Sequence, residues 1–156
     1  MVAPMVFPMQ FRVRERTNRI ILHDSLTPSV VPNALEFVRH TAMLYGHLDI
    51  GYHFIILADG SRMVGRPVGV VGSHTPGHNE DSIGVCMIGG LLAPGHLEFP
   101  FPQEQVDGVK ALVEDLMGMY PECLGVFAHS EVQNYRKGSH RKVRSCPAID
   151  MRRIRS

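Results

Sequence analysis

Ile20-Ile21-Leu22-His23, running straight into Asp24-Ser25-Leu26-Thr27-Pro28, reads as an apolar strand that ends on an imidazole and passes into a loop. A second apolar run, Val126-Phe127-Ala128, ends on His129 in the same way, and Ser145-Cys146-Pro147 supplies a thiol. Two neutral imidazoles and one thiolate make a three-ligand zinc site. Such a site leaves the fourth tetrahedral position open to water, whereas a structural zinc is closed by four protein ligands. No two of these residues sit at the short intervals of a zinc finger or of a His-x-x-x-His pair on a helix, so the fold has to bring them together. Taken singly, His23 and His129 read as hydrogen-bonded structural histidines and Cys146 as an inert buried thiol. Taken together they point to metal-assisted hydrolysis.

The elements around these stretches alternate between short apolar strands and amphipathic helices, with no internal repeat and no low-complexity stretch. This pattern predicts an α/β fold: a single domain with a central mixed β-sheet flanked by helices. Phe11-Arg12-Val13-Arg14 alternates with period two, as an opening strand with one wet face would. From about Asn33 to Tyr45, Leu35, Val38, Ala42 and Tyr45 recur at helical spacing, with Gly46 as the stop. Tyr52 to Leu57 and Arg62 to Gly65 flank Asp59-Gly60, a hairpin signal in which both central turn positions take positive φ. Ser82 to Ile88 reads as a buried strand. The longest helix is expected from about Pro102 to Tyr120, with Val106, Val109, Val113, Leu116 and Tyr120 on one face and no capping oxygen from Phe101. Gly125 to Ala128 forms a further strand, and Ile149 to Ile154 a short closing helix.

Composition narrows the class. A chain of 156 residues with 44% apolar and 20% charged residues can bury one substantial core without disulfides or a partner chain. A formal net charge of +1 gives no field strong enough to argue for a nucleic-acid or membrane partner. Cys86, Cys123 and Cys146 are an odd, sparse set that reads as free thiols in a reducing compartment. Met1 to Met9 is apolar but contains Pro4 and Pro8 and has no basic residue before it, so it is neither a secretory signal nor a membrane span. Synthesis in a cytoplasm follows.

Several runs, in order, carry a resemblance. They are Ile20-Ile21-Leu22-His23-x-Ser25, Gly51-Tyr52-His53-Phe54-Ile55-Ile56, Gly72-Ser73-His74, Asn79-x-x-Ser82-Ile83-Gly84-Val85-Cys86-Met87-Ile88-Gly89-Gly90, Ala128-His129-x-Glu131-Val132 and Cys146-Pro147-x-x-Asp150. Over roughly residues 11 to 151 the chain resembles the zinc amidases of T-odd coliphages, N-acetylmuramoyl-L-alanine amidases within the peptidoglycan-recognition superfamily. The resemblance implies an N-terminal extension over residues 1–10 and a zinc amidase domain over 11–156. It implies zinc held by His23, His129 and Cys146, Tyr52 as the catalytic tyrosine, and cleavage of the amide joining the lactyl group of muramic acid to L-alanine of the stem peptide. The implied setting is a phage endolysin, a monomer made in the host bacterial cytoplasm that meets its peptidoglycan substrate after the membrane is permeabilised. Alternatives within the same resemblance are a peptidoglycan-binding module without catalysis, an interaction protein that inhibits the phage RNA polymerase, and a recycling amidase acting on soluble muropeptides.

The assigned roles make chemical sense. An amide is a poor electrophile with a poor leaving group, so the site must activate water, stabilise an oxyanion and protonate the departing amine. The Tyr52 hydroxyl can hydrogen-bond the oxyanion or the water. The family often carries a lysine two positions before the third ligand. Here that position is Arg144, which stays protonated and so acts electrostatically rather than as a proton relay. The stretch from Gln133 to Ser145 is longer than in the phage enzymes, so Lys142 is a second candidate for the lysine's place. His53 follows Tyr52 on the opposite strand face and reads as a supporting residue. Cys86 reads as a buried thiol and Cys123 as a loop residue. His74 either lines the cleft or is a simple loop histidine, and His40, His47, His78, His96 and His140 read as exposed. Asp150 or Glu131 either orients a ligand imidazole, or caps the last helix or pairs with a surface arginine. The basic run Arg136, Lys137, His140, Arg141, Lys142 and Arg144, with Arg152, Arg153 and Arg155, is a solvated loop and tail or attracts stem-peptide carboxylates. With Tyr135 the one aromatic interleaved, direct nucleic-acid binding is not expected.

Overall fold

Strands β1 (Arg19–Asp24), β2 (Phe54–Ile56), β3 (Arg62–Val64), β4 (Ser82–Met87) and β5 (Val126–Ala128) pair in the order β3-β2-β4-β1-β5 in a computed structural model that describes residues 11–44, 46, 49–91, 101–133 and 145–156. The sheet is mixed: β1 runs parallel to β4 and β5, β2 parallel to β4, and β3 antiparallel to β2. β1 and β4 lie inside the sheet and are buried almost throughout, β1 with an apolar run over residues 20–22 and β4 with one over residues 83–87. The helices are α1 (Ala34–Leu44), α2 (Gln103–Met119), α3 (His129–Val132) and α4 (Arg152–Arg155).

Alternation along the strands divides the core in two. Ile20 and Leu22 of β1, Ile83, Val85 and Met87 of β4, and Val126 and Ala128 of β5 pack with Val106, Val109, Leu112 and Leu116 of α2 and Ile154 of α4. Across the sheet, Ile55 and Cys86 pack with Ala34 and Val38 of α1. Each fully buried Leu or Ile side chain contributes about 1.5–3 kcal/mol of transfer free energy, so the α2 face carries most of the stability. Buried Gln105 pins α2 to the sheet by donating from Nε2 to the carbonyls of Ile56 and Ile88, both at 2.9 Å. Pro102 precedes α2 and, as expected, no side-chain oxygen caps it.

Several expectations need correction. Residues 11–14 form no regular strand: Val13 makes a single bridge to Val70, and the phase is inverted, with Val13 75% exposed and Arg14 7% exposed. Arg14 is accommodated because its guanidinium donates to the carbonyls of Val68 and Val70 and to Thr17 Oγ1, and lies over the Tyr120 ring. In the β2–β3 hairpin Gly60 has φ +89° but Asp59 is not left-handed, so the turn is not the doubly positive type. The Gly60 N–H donates to Leu57 O and the Leu57 N–H to Ser61 O, both at 2.9 Å. That is a three-residue loop with glycine in the single left-handed position. Cys123 lies in a loop but is buried in the α2-side core. The closing helix starts at Arg152 rather than Ile149, and β2 starts at Phe54, two residues after Tyr52. His40 is exposed and His78 half-buried, while His47, His96 and His140, with Tyr45, lie outside the described residues. Among those residues no helix is long and apolar enough to cross a membrane.

Candidate metal centre

His23 is the last but one residue of β1, on the face opposite Leu22, and sits beside Cys86 of β4 in the parallel register. His129 follows β5 directly and opens α3. Because β1 and β5 are parallel neighbours, both imidazoles reach the same carboxyl edge of the sheet, where open α/β sheets place their ligands. Cys146 arrives from the loop ahead of α4. One donor atom from each of His23, His129 and Cys146 lies within 4.8 Å of the others. A tetrahedron with zinc bonds of about 2.0–2.3 Å has edges of about 3.5 Å, so small side-chain adjustments let this set share one ion. Two nitrogens and a sulfur suit zinc, and the set leaves a coordination position for a reactant.

The imidazoles are held from outside. His23 Nε2 lies 3.0 Å from His74 Nδ1 and 3.2 Å from Thr75 Oγ1, and His129 Nε2 lies 3.0 Å from Gln133 Oε1. Gln133 donates in turn from Nε2 to the Pro76 carbonyl at 3.3 Å, so the 72–79 loop backs both histidines. Asn79 secures that loop: its Oδ1 accepts the N–H groups of His74 and Thr75 at 2.9 and 2.8 Å. The Cys146 backbone is held as well. Its carbonyl accepts the Ser130 N–H at 3.0 Å and the Ser130 hydroxyl at 3.2 Å, and two residues on the Ala148 N–H donates to Asp24 Oδ2 at 2.8 Å.

Tyr52 packs its ring 5.1 Å from the His23 ring, centroid to centroid. Burial, reinforced by the nearby Cys86 and Cys146 thiols and Asp24, holds its hydroxyl pKa well above the ordinary 10.0, so the phenol stays protonated and keeps a proton to donate. His53, fully buried, turns away to other partners: its Nδ1 accepts the Gly84 N–H at 3.0 Å and its Nε2 donates to the Val70 carbonyl at 2.7 Å. Burial, with the Arg14 and Arg66 charges, pushes its pKa down to about 4 and fixes it as a neutral support. His74 lines the site rather than a surface loop. Its ring lies over Gly84, where an added Cβ would come within 2.5–2.8 Å of three ring atoms. Burial, with positive charge on neighbours, pushes its pKa well below the ordinary value. Beside Tyr52 a cleft of about 230 Å³ opens between α1 and the sheet, lined by Phe37, Val38, Thr41, Tyr52, Ser73 and Cys86 among others.

Of the residues singled out in the sequence, the structure gathers His23, His129, Cys146 and Tyr52, while Arg144, Lys142 and residues 1–10 lie outside the described residues. Asp150 and Glu131 do not orient an imidazole. Asp150 caps α4 through the Arg152 N–H at 2.9 Å and pairs with the Arg152 guanidinium at 2.6 Å, and Glu131 accepts the Ala128 N–H and pairs with Arg155. Arg152 and Arg155 of the basic tail are therefore neutralised locally. Thr75, Gln133 and Asp24 went unread in the sequence; Gly84 inside a strand was the signal for the close approach of His74.

The arrangement has counterparts. The family model described as N-acetylmuramoyl-L-alanine amidase matches residues 14–148. The endolysin of Escherichia phage T7 is 34% identical over 145 residues, covering 93% of this chain and 89% of that protein. Among solved structures, the N-acetylmuramoyl-L-alanine amidase LysC from Clostridium intestinale URNW superposes with a TM-score of 0.68 at 28% identity, covering 80% of this chain and 78% of that one. Wild-type Drosophila PGRP-LB, at 24% identity, shares the fold with a TM-score of 0.65 over 88% of this chain and 78% of its own. A match that takes in β1, the Tyr52 stretch, the 72–79 loop, β5 and the Cys146 loop together leaves one conclusion: the chain belongs to the N-acetylmuramoyl-L-alanine amidase family.

Proposed function

We propose that this chain is a zinc-dependent phage endolysin that hydrolyses the amide between N-acetylmuramic acid and L-alanine in peptidoglycan. It is made in the host cytoplasm and reaches the wall once the membrane is permeabilised. The observation that carries the reading is the convergence of His23, His129 and Cys146 to within 4.8 Å beside the Tyr52 ring. A zinc ion held by those three residues would supply a Lewis acid for the amide carbonyl and a water acidified toward neutral pH.

The chain's own residues do the rest. Tyr52, kept protonated by burial, donates its hydroxyl to the carbonyl oxygen as negative charge builds there, a contribution of about 3 to 4 kcal/mol for a preorganised donor. His74 and Thr75 fix the His23 ring and Gln133 fixes the His129 ring, which limits reorganisation during the reaction. The cleft along α1 receives the stem peptide against Phe37, Val38 and Thr41. Arg144 adds a permanent positive charge and no proton relay.

The test is digestion of purified sacculi with release of stem peptides, run on native protein, on protein treated with a chelator, and after zinc is restored. Activity lost with the metal and regained with zinc supports the proposal. Digestion untouched by the chelator, or active protein that contains no metal, overturns it. Faster release from soluble muropeptides than from sacculi overturns the endolysin role and leaves a recycling amidase.

A further inference from the structure

The residue after each histidine ligand grips the loop that bears the third. Asp24 follows His23 and Ser130 follows His129. The buried Asp24 carboxylate accepts the Ala148 N–H at Oδ2, 2.8 Å away and 124 residues along the chain, and the Leu26 N–H at Oδ1 at 3.2 Å. Leu26 has φ +52°, a conformation unfavourable for leucine, so one carboxylate holds both a strained turn and the Cys146 loop. Ser130 closes on the other side. Its N–H and hydroxyl donate to the Cys146 carbonyl at 3.0 and 3.2 Å, and its Oγ accepts the Cys146 N–H at 3.4 Å. Gly90 makes room: an added Cβ there would fall 2.4 Å from the Asp24 Cγ.

We infer that Asp24 and Ser130 are positioning residues that clamp the Cys146–Ala148 backbone and so set the place of the thiolate relative to the two imidazoles. The inference rests on the zinc reading above. β1 and β5 fix the histidines relative to one another through a paired ladder, but Cys146 belongs to no strand. Its place relative to the sheet is held by the Ser130 backbone N–H and by side-chain to backbone bonds from Asp24 and Ser130, the residues bonded directly to the other two ligands. A clamp of this design makes the three donors move as one unit. It also accounts for a carboxylate buried next to a metal ligand: each oxygen accepts a backbone N–H, which an amide side chain cannot reproduce, having a single acceptor oxygen.

The test replaces zinc with cobalt in the full chain and compares wild type, Asp24→Asn and Ser130→Ala. Three readouts are used: cobalt affinity by chelator competition, the thiolate-to-cobalt charge-transfer band at saturating metal, and hydrogen exchange of the Ala148 amide. The expected result for Asp24→Asn is affinity lowered about 10- to 100-fold, the range for losing an outer partner of a metal ligand, a charge-transfer band that is shifted or weakened even at saturation, and faster exchange at Ala148. Ser130→Ala, which keeps every charge, shifts the same band with a smaller loss of affinity. A variant that binds more weakly but shows the wild-type band at saturation has lost only charge, and overturns the clamp. Should Asp24→Asn fail to fold, the Ser130→Ala band decides alone, an unchanged band refuting the inference. Wild-type protein that takes up neither zinc nor cobalt sinks the zinc reading itself, whereas wild type that binds cobalt alongside unaltered variants sinks only the clamp.

Discussion

His53 supplies a proton-linked test of the support beneath Tyr52. Its ring is fully buried, accepts the Gly84 N–H and donates to the Val70 carbonyl, an arrangement that only the neutral tautomer satisfies. Folding therefore lowers its pKa from the ordinary 6.5 to about 4, with desolvation the leading cause. The unfolded chain takes up this proton first as pH falls. The stabilisation is complete above pH 6.5, is lost progressively between 6.5 and 4, and is gone below the folded-state value. The gap between the two values corresponds to about 3 kcal/mol, a large share of the stability of an ordinary domain. Urea unfolding followed from about pH 7.5 to about pH 4 should show this loss in the wild type. The His53→Gln variant, which offers an acceptor and a donor but no titration, starts less stable and shows a pH dependence shallower by that amount. His74 lies close to His53 and owes part of its own depressed pKa to it, so the difference between the two curves reports His53 together with its coupling to His74. Parallel curves would refute the reasoning, because a buried imidazole held neutral cannot leave stability indifferent to its protonation.

Gly84→Ala drives a methyl to within 2.8 Å of the His74 ring, which is itself 3.0 Å from His23; thermal melting should show about 1–3 kcal/mol of destabilisation together with weaker zinc retention, and an unchanged melt removes the proposed close approach. Tyr52→Phe should lower turnover on sacculi about 100- to 1,000-fold with zinc content intact, and wild-type turnover would strip Tyr52 of its role as donor. Arg144→Ala should lower turnover with little change in zinc content, and undiminished turnover removes that arginine from the mechanism. Lys142→Ala, assayed in parallel, shows which of the two basic residues serves the reaction.

What could be read in the chain divides along physical lines. β1 and β4 were legible because each carries a short continuous apolar run, as buried strands do, and α2 because Val106, Val109 and Leu116 return at the helical period. The meeting of His23 and His129 has a related physical basis: a side chain that ends an apolar strand is delivered to the sheet's carboxyl edge, and β1 and β5 are parallel neighbours. The misreading at Arg14 came from treating charge as a sign of solvent. A guanidinium has enough donors to be buried when carbonyls such as those of Val68 and Val70 converge on it, and that convergence is tertiary. Asp24 and Thr75 were hidden for the same reason, since each meets its partner across segments that no local pattern links, whereas Gln133 meets His129 four residues back and only its bond to Pro76 is long-range. Sequence chemistry can thus nominate which atoms would hold a metal, but most of the contacts that fix those atoms, such as His23 with His74 and Thr75 and Ala148 with Asp24, join segments far apart in the chain. On the proposed zinc reading, the carboxylate beside His23 and the hydroxyl beside His129 are positions at which substitution should alter metal affinity while His23, His129 and Cys146 themselves stay unchanged.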